Sequence, residues 1–228
     1  MPEPGPVMFE TSLILKALCV ARAGRVLMRD LTLSLEPGSA LLLTGPNGVG
    51  KTSLLRTLAG LLAAQSGEVH YQRASLREDA AHNAKPQAQS HEDAVAYLSH
   101  ADGLKATETV AEALTFWRTL HGAPDIPARL VLKQVGMERL SRRPCARLSA
   151  GQKRRVALAR VMISHRPIWI LDEPAAPLDT AGRALLADLC QGHRDQGGIV
   201  IAATHVDLGW TQAQSLDLVP LQAEGIRA

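Results

Sequence analysis

Residues 45–53 constrain this chain more than any other stretch. A short apolar run at 40–44, the length of a strand, leads into Gly45, Pro46, Asn47, Gly48, Val49 and Gly50. Lys51, Thr52 and Ser53 then open a helical stretch predicted over 51–62, with a break near Gly60. Glycines let the backbone curl so that several N–H groups converge on one point, and the following helix adds the positive end of its dipole. A strand, a glycine turn and a helix in that order form a phosphate cradle. The GxxxxGKT spacing places the α- and β-phosphates on the loop and Lys51 against the β- and γ-phosphates. Thr52 then offers its hydroxyl to Mg²⁺, and Ser53 touches the α-phosphate.

A second apolar run, 168–171, ends in Asp172 and Glu173. A buried parallel strand delivers such a pair to its carboxyl end, the edge at which open α/β sheets bind ligands. Asp172 is placed to bind Mg²⁺ through water, and Glu173 to polarise an attacking water as general base. In isolation the pair reads equally well as two surface acids after an ordinary strand. With the phosphate cradle upstream, the pair reads as hydrolytic.

The 228 residues can bury one sizeable core, or one core with a small appended lobe. Hydrophobic residues make up 46% and charged ones 21%, with a net charge of +3, a globular balance too mildly basic to argue for nucleic acid. Lys153, Arg154 and Arg155 therefore read as a solvated or interface helix face. No window reaches the roughly 18 apolar residues of a membrane span. Residues 1–6 lack the basic start and apolar stretch of a secretory signal, so the chain is expected to stay where it is made. Cys19, Cys145 and Cys190 form an odd, scattered set that fits incidental thiols, and Cys190 with His193 lacks the further ligands of a metal site.

Along the chain, 12–35 alternates loosely and predicts short antiparallel strands, with a further strand at 67–71. The polar stretch 73–93 predicts a variable loop without chemistry. After a strand at 95–99, helical periodicity over 108–120 and 128–135 predicts a small helical lobe covering about 101–147. Helix 149–164, strand 168–172, helix 180–191, strand 199–204 and a late strand at 215–221 then alternate as a parallel α/β sheet requires.

Leu148, Ser149, Ala150, Gly151 and Gln152 open the helix at 149, where a serine N-cap and free N–H groups suit an anion. The order of phosphate loop, LSAGQ, strand with Asp172 and Glu173, Ala176-Pro-Leu-Asp179, and His205 after a strand resembles the ATPase domains of the ABC transporter family over nearly the whole chain. The resemblance implies one ATP-binding domain spanning 1–228. Its fold is an α/β P-loop NTPase of ABC type, with a mixed core sheet, an antiparallel β subdomain and an inserted α-helical subdomain. It also implies that two copies sandwich two ATP molecules, so that Leu148, Ser149, Ala150, Gly151 and Gln152 serve the site of the second copy. Glu173 and His205 would then be catalytic, His205 holding the γ-phosphate and water, while Asp179 reports the partner's state. The partners implied are a second copy and integral membrane permease subunits, on the cytoplasmic face of the inner membrane.

Two positions depart from the family pattern. The aromatic residue that stacks on adenine, expected near 22–24, is missing, and the planar guanidinium of Arg22 is the best local substitute. The glutamine that ends the strand before the helical lobe is replaced by His100, which would act on Mg²⁺ through water or touch the partner, because Mg²⁺ prefers oxygen ligands. The segment 99–105, LSAGQKRRVALAR, WILDEP and 196–205 together resemble the ATP-binding subunits of cytochrome c maturation export complexes. That family handles haem or releases a haem-loaded chaperone. No direct haem site is expected in this chain: CxxCH is absent, and His82, His91 and His121 read as solvated loop residues. Two other readings stay open, a subunit for another small solute and a soluble ABC ATPase acting on DNA or ribosomes. The second lacks the coiled coils or tandem domains it would need.

Overall fold

A computed structural model describes residues 8–73, 87–210 and 212–221. Its two sheets follow from two kinds of pattern. Strands β1 (Thr11–Arg22), β2 (Arg25–Leu35), β4 (Ser66–Arg73) and β5 (Gln87–Gln89) pair in the order β2-β1-β4-β5, antiparallel throughout. Strands β3 (Ala40–Thr44), β6 (Val95–Leu98), β7 (Ile168–Asp172), β8 (Ile199–Ala203) and β9 (Gln214–Asp217) form the order β6-β7-β8-β3-β9, parallel throughout. The α/β core and the antiparallel β subdomain expected of the chain are both present, the core sheet being parallel among the described residues.

The parallel sheet has helices or the other sheet on both faces, which is why β7 and β8 are buried at every position. Side chains alternate across a strand, so β7 feeds two cores. Ile168 and Ile170 pack with Leu54, Leu55 and Leu58 of helix α1 (Lys51–Leu58) and with Leu13 and Leu15 of the antiparallel sheet. Trp169 and Leu171 face the opposite way, among Val156 and Leu158 of α5 (Ala150–Ile163) and Leu186 of α6 (Thr180–Asp195). Helices α3 (Val110–Leu120) and α4 (Ala128–Gln134) pack on α5 between β6 and β7, and Thr109 with Glu112 closes a capping box at the start of α3.

Several local expectations change. The first two strands are long, of 12 and 11 residues, because a tight turn joins them: Ala23 and Gly24 both have positive φ, the requirement of a two-residue hairpin loop. Helix α1 stops at Leu58, where Gly60 at φ +71° lets the Leu61 N–H bond back to the Arg56 carbonyl. Within 73–93, β5 and the short helix α2 (His91–Ala94) replace loop; residues 74–86, with His82, lie outside the described residues. His91 opens α2 with its ring beside Gly60. His121 is no solvated loop residue: it caps α3, stacks on Trp117 at 5.7 Å and is half-buried. Burial, with Arg166 and Arg160 nearby, pushes its imidazole pKa down. Among the described residues no helix is long and apolar enough to cross a membrane.

His193 stacks flat on Trp169 at 4.0 Å and donates Nε2–H to the Pro167 carbonyl at 3.0 Å. Burial lowers its pKa from 6.5 to about 4. The folded state therefore prefers the neutral ring. Its contribution is fully present above pH 6.5 and is lost as pH falls through 4, by at most about 3 kcal/mol. Melting temperature should fall over that window, and His193→Gln should flatten the fall. A fall of equal steepness in the variant would show that other groups cause it.

Candidate active site

The loop after β3 is built by backbone that side chains would spoil. Gly45 has φ +121°, and a Cβ there would meet the Leu218 carbonyl oxygen at 2.3 Å. Gly50, at φ +119°, forms the N-cap of α1 without any side-chain cap, leaving the first amides of that helix free for an anion. Lys51 is buried, and its Nζ donates to the carbonyls of Gly45 at 2.6 Å and Pro46 at 3.1 Å. The ammonium is thereby held across the mouth of the loop.

At the end of β7, Asp172 accepts from Thr52 Oγ1 at 3.2 Å through one carboxylate oxygen and from the Tyr97 hydroxyl at 3.4 Å through the other. Burial first, then Asp172, raises the Tyr97 pKa, so the phenol stays a donor. Glu173 turns out of the strand with φ +47°, a conformation that non-glycine residues adopt at a cost, and its N–H donates to the Ala203 carbonyl at 2.9 Å. That turn brings its carboxylate to 3.5 Å from His205 Nε2.

Gly50, Lys51, Thr52, Asp172, Glu173 and His205 line one cavity of about 500 Å³, in the size range of small-ligand sites. Arg22, Ala23 and Leu27 of the first hairpin form one wall. Asn47, Gly48, Gly50, Lys51, Thr52 and Ser53 form the floor, and Asp172, Glu173 and His205 the far side. Among the residues predicted for the phosphate loop, Gly45, Pro46 and Val49 shape the loop without lining the cavity. Thr52 and Asp172 bring a hydroxyl and a carboxylate together, the hard oxygen donors that Mg²⁺ selects.

Other predicted residues lie elsewhere. Ser149 caps α5 in a capping box with Gln152, and both are at least partly open to solvent, as are Ala150 and Gly151, while Leu148 is buried. None of the five lines the cavity. Asp179 caps α6, accepting from the Gly182 N–H at 2.7 Å, and pairs with Arg155 at 3.5 Å. His100 is exposed and outside the cavity wall.

The reading of 153–155 as a solvated or interface face fails at Arg154, which is 1% exposed. Its guanidinium reaches carbonyls at and just beyond the end of β7 and just after β6. The signal was in the spacing: Arg154, Ala157, Leu158 and Val161 follow the i, i+3, i+4, i+7 stripe and are all buried. Tyr97 was missed too. An apolar strand position carries no local sign of the acid it meets 75 residues later.

A family model described as ABC transporter matches residues 28–176. The chain is 44% identical to the cytochrome c biogenesis ATP-binding export protein CcmA of Maricaulis maris (strain MCS10), covering 93% of this chain and 94% of that protein. It is also 42% identical to the protein of the same name in Paracoccus denitrificans (strain Pd 1222), over 94% of this chain and 92% of the relative. A solved ATP-binding protein from Pyrococcus furiosus, described as an ABC transporter, shares the fold at TM-score 0.74 and 22% identity, over 91% of this chain and 97% of that one. The chain belongs to the ABC transporter family, as an ATP-hydrolysing nucleotide-binding subunit in the group of the cytochrome c biogenesis ATP-binding export proteins.

Proposed function

We propose that this chain drives the ATP-dependent step of a membrane complex for cytochrome c maturation, exporting haem or releasing a haem-loaded chaperone. The observation that carries this reading is the end-to-end match, at 44% identity, with a protein named for cytochrome c biogenesis and export. Residues 1–228 work as one ATP-binding unit, with 101–147 as its helical part. ATP lies in the cavity with its phosphates on the 45–50 loop, Lys51 and Ser53, and Arg22 stacks on the adenine. Glu173 takes a proton from water as the water oxygen bonds to the γ-phosphorus and the bond to the bridging oxygen of ADP breaks. His205 orients the γ-phosphate. Mg²⁺, held by Thr52 and Asp172, would neutralise charge on the β- and γ-phosphates.

A second copy completes each site with Leu148, Ser149, Ala150, Gly151 and Gln152, and Asp179 senses that neighbour. His100, exposed at the segment leading into the helical part, acts at that boundary rather than on the metal directly. The chain sits peripherally at the cytoplasmic face of the inner membrane on permease subunits, and nucleic acid and haem are not its ligands. A cleft of about 1060 Å³ between the end of α1 and α3 supports the permease partner. Leu61 and Leu120 stand exposed at its rim, with Arg56 and Arg160 among its walls. An apolar permease segment carrying a carboxylate fits it.

The test is recovery from detergent-solubilised membranes. The chain is expected to co-purify with integral membrane subunits, and its deletion to remove covalently bound haem from c-type cytochromes. Recovery only as free protein, or with ribosomes, would overturn the transporter reading. Co-purification with unchanged cytochromes would leave a subunit for another solute.

A further inference from the structure

Arg154 has a bonding pattern that its place in a Lys-Arg-Arg run hides. A guanidinium carries five N–H donors, and here each has one acceptor. Nε donates to the Pro174 carbonyl at 3.1 Å. One terminal nitrogen donates to the Ser99 carbonyl at 2.9 Å and to Asp102 Oδ1 at 3.2 Å, the other to the carbonyls of Asp172 at 2.8 Å and Glu173 at 2.5 Å. Four acceptors are thus main-chain carbonyls. Three belong to the consecutive residues Asp172, Glu173 and Pro174, from the last residue of β7 onward, and the fourth, Ser99, directly follows β6.

Burying a cation costs several kcal/mol unless all its donors are met. Desolvation lowers the Arg154 pKa, and Asp102 first, then Asp172 and Glu173, oppose that shift. A residue kept only to fill space would be apolar. The acceptors, moreover, sit where backbone direction decides side-chain aim. Glu173 holds φ +47°, and its carbonyl and N–H are tied to different elements, to Arg154 of α5 and to Ala203 of β8.

We propose that Arg154 is a positioning residue for Glu173, and that it couples the start of α5 to the hydrolytic end of β7. Resting on the proposed roles of Glu173 and of the LSAGQ segment, this inference links the two sites that one chain serves. Ser149 caps α5, and Arg154 leaves the same helix little more than one turn later to grip the backbone of Asp172, Glu173 and Pro174. A shift of α5, set by whatever Ser149 and Gly151 contact, therefore moves the backbone that aims Glu173. The grip on Ser99 and Asp102 extends the link to the segment that carries His100.

The experiment compares parent, Arg154→Lys, Arg154→Gln and Glu173→Gln full-length chains, each co-purified with its membrane subunits. Lysine keeps the charge and most of the bulk but offers three donors from one point. Both Arg154 variants are expected to lose about tenfold to a hundredfold in kcat with KM for ATP within about threefold, the loss that misaligned catalytic groups produce. Hydrogen exchange at the Glu173 amide should quicken about tenfold while the melting curve still shows a folded protein. Parent kcat in Arg154→Lys, or unchanged exchange at Glu173, overturns the proposal, since charge and bulk alone would then suffice. If neither Arg154 variant folds, Asp102→Ala removes one acceptor from a partly exposed site. It is expected to cost about threefold to tenfold in kcat at constant KM, and parent kcat there overturns the proposal. Hydrolysis at the parent rate by Glu173→Gln would instead sink the assigned role of Glu173, with the exchange measurement still deciding whether Arg154 holds that backbone.

Discussion

Glu173→Gln is expected to lower ATP turnover about 10²- to 10⁴-fold, the range that loss of a general base produces, while ATP binding survives. The substitution keeps shape and leaves the main-chain bonds of residue 173 to Arg154 and Ala203 in place. What it removes is the carboxylate beside His205, the proposed proton acceptor, which lines the cavity after the left-handed turn that follows β7. Binding groups on the loop and Lys51 are untouched. ATP should therefore bind without being consumed, and a stable ATP-bound dimer should appear. Phosphate release and size-exclusion chromatography with and without ATP check both halves. Turnover at the parent rate means that another group activates water.

The second large effect is at Lys51. Replacement by alanine should weaken ATP binding about a hundredfold or more, roughly the 3 kcal/mol of a charge-assisted contact in a partly buried site. The Lys51 ammonium is already held over the loop by the Gly45 and Pro46 carbonyls, so little of its freedom remains to be lost when phosphate arrives. Removing it leaves those carbonyls without their donor and the loop without its positive centre. Lys51→Arg should rescue poorly, because a planar fork does not fit the space of a compact ammonium. Calorimetric titration with ATP and Mg²⁺ measures the loss, and affinity within threefold of the parent would show that the loop amides suffice.

Legibility in the sequence tracked how local each feature is. The loop from Gly45 to Thr52 could be read because its glycines, lysine and threonine are neighbours in the chain and its strand and helix adjoin it. Asp172 and Glu173 could be read because the apolar run before them is contiguous. The five-residue β7 gives a clear signal, while β5 gives none, since Gln87, Ala88 and Gln89 carry no apolar alternation. Arg154 was obscured by its cationic neighbours, although its buried spacing with Leu158 and Val161 was available. His121 was misread for a related reason: its stacking on Trp117 is an i, i+4 contact on α3, and the helix was expected to end one residue before it. Which wall of the cavity Arg22 joins could not be read, because the hairpin that carries it is fixed by pairing with strands far along the chain.

The place of β3 in its sheet has a consequence for how the protein is made. The strand that carries the phosphate loop lies between β8 and β9, and β9 leads into Leu218, whose backbone N–H donates to Thr44 and whose carbonyl crowds Gly45. On the ribosome, residues 40–52 therefore emerge long before either neighbouring strand exists. The loop has no frame until residues 199–218 have left the exit tunnel, and the contacts that set it span more than 150 positions. The frame of the loop is complete only once those residues are made, so a nascent chain that has reached Glu173 carries the phosphate loop and the acidic pair without the strands that flank β3.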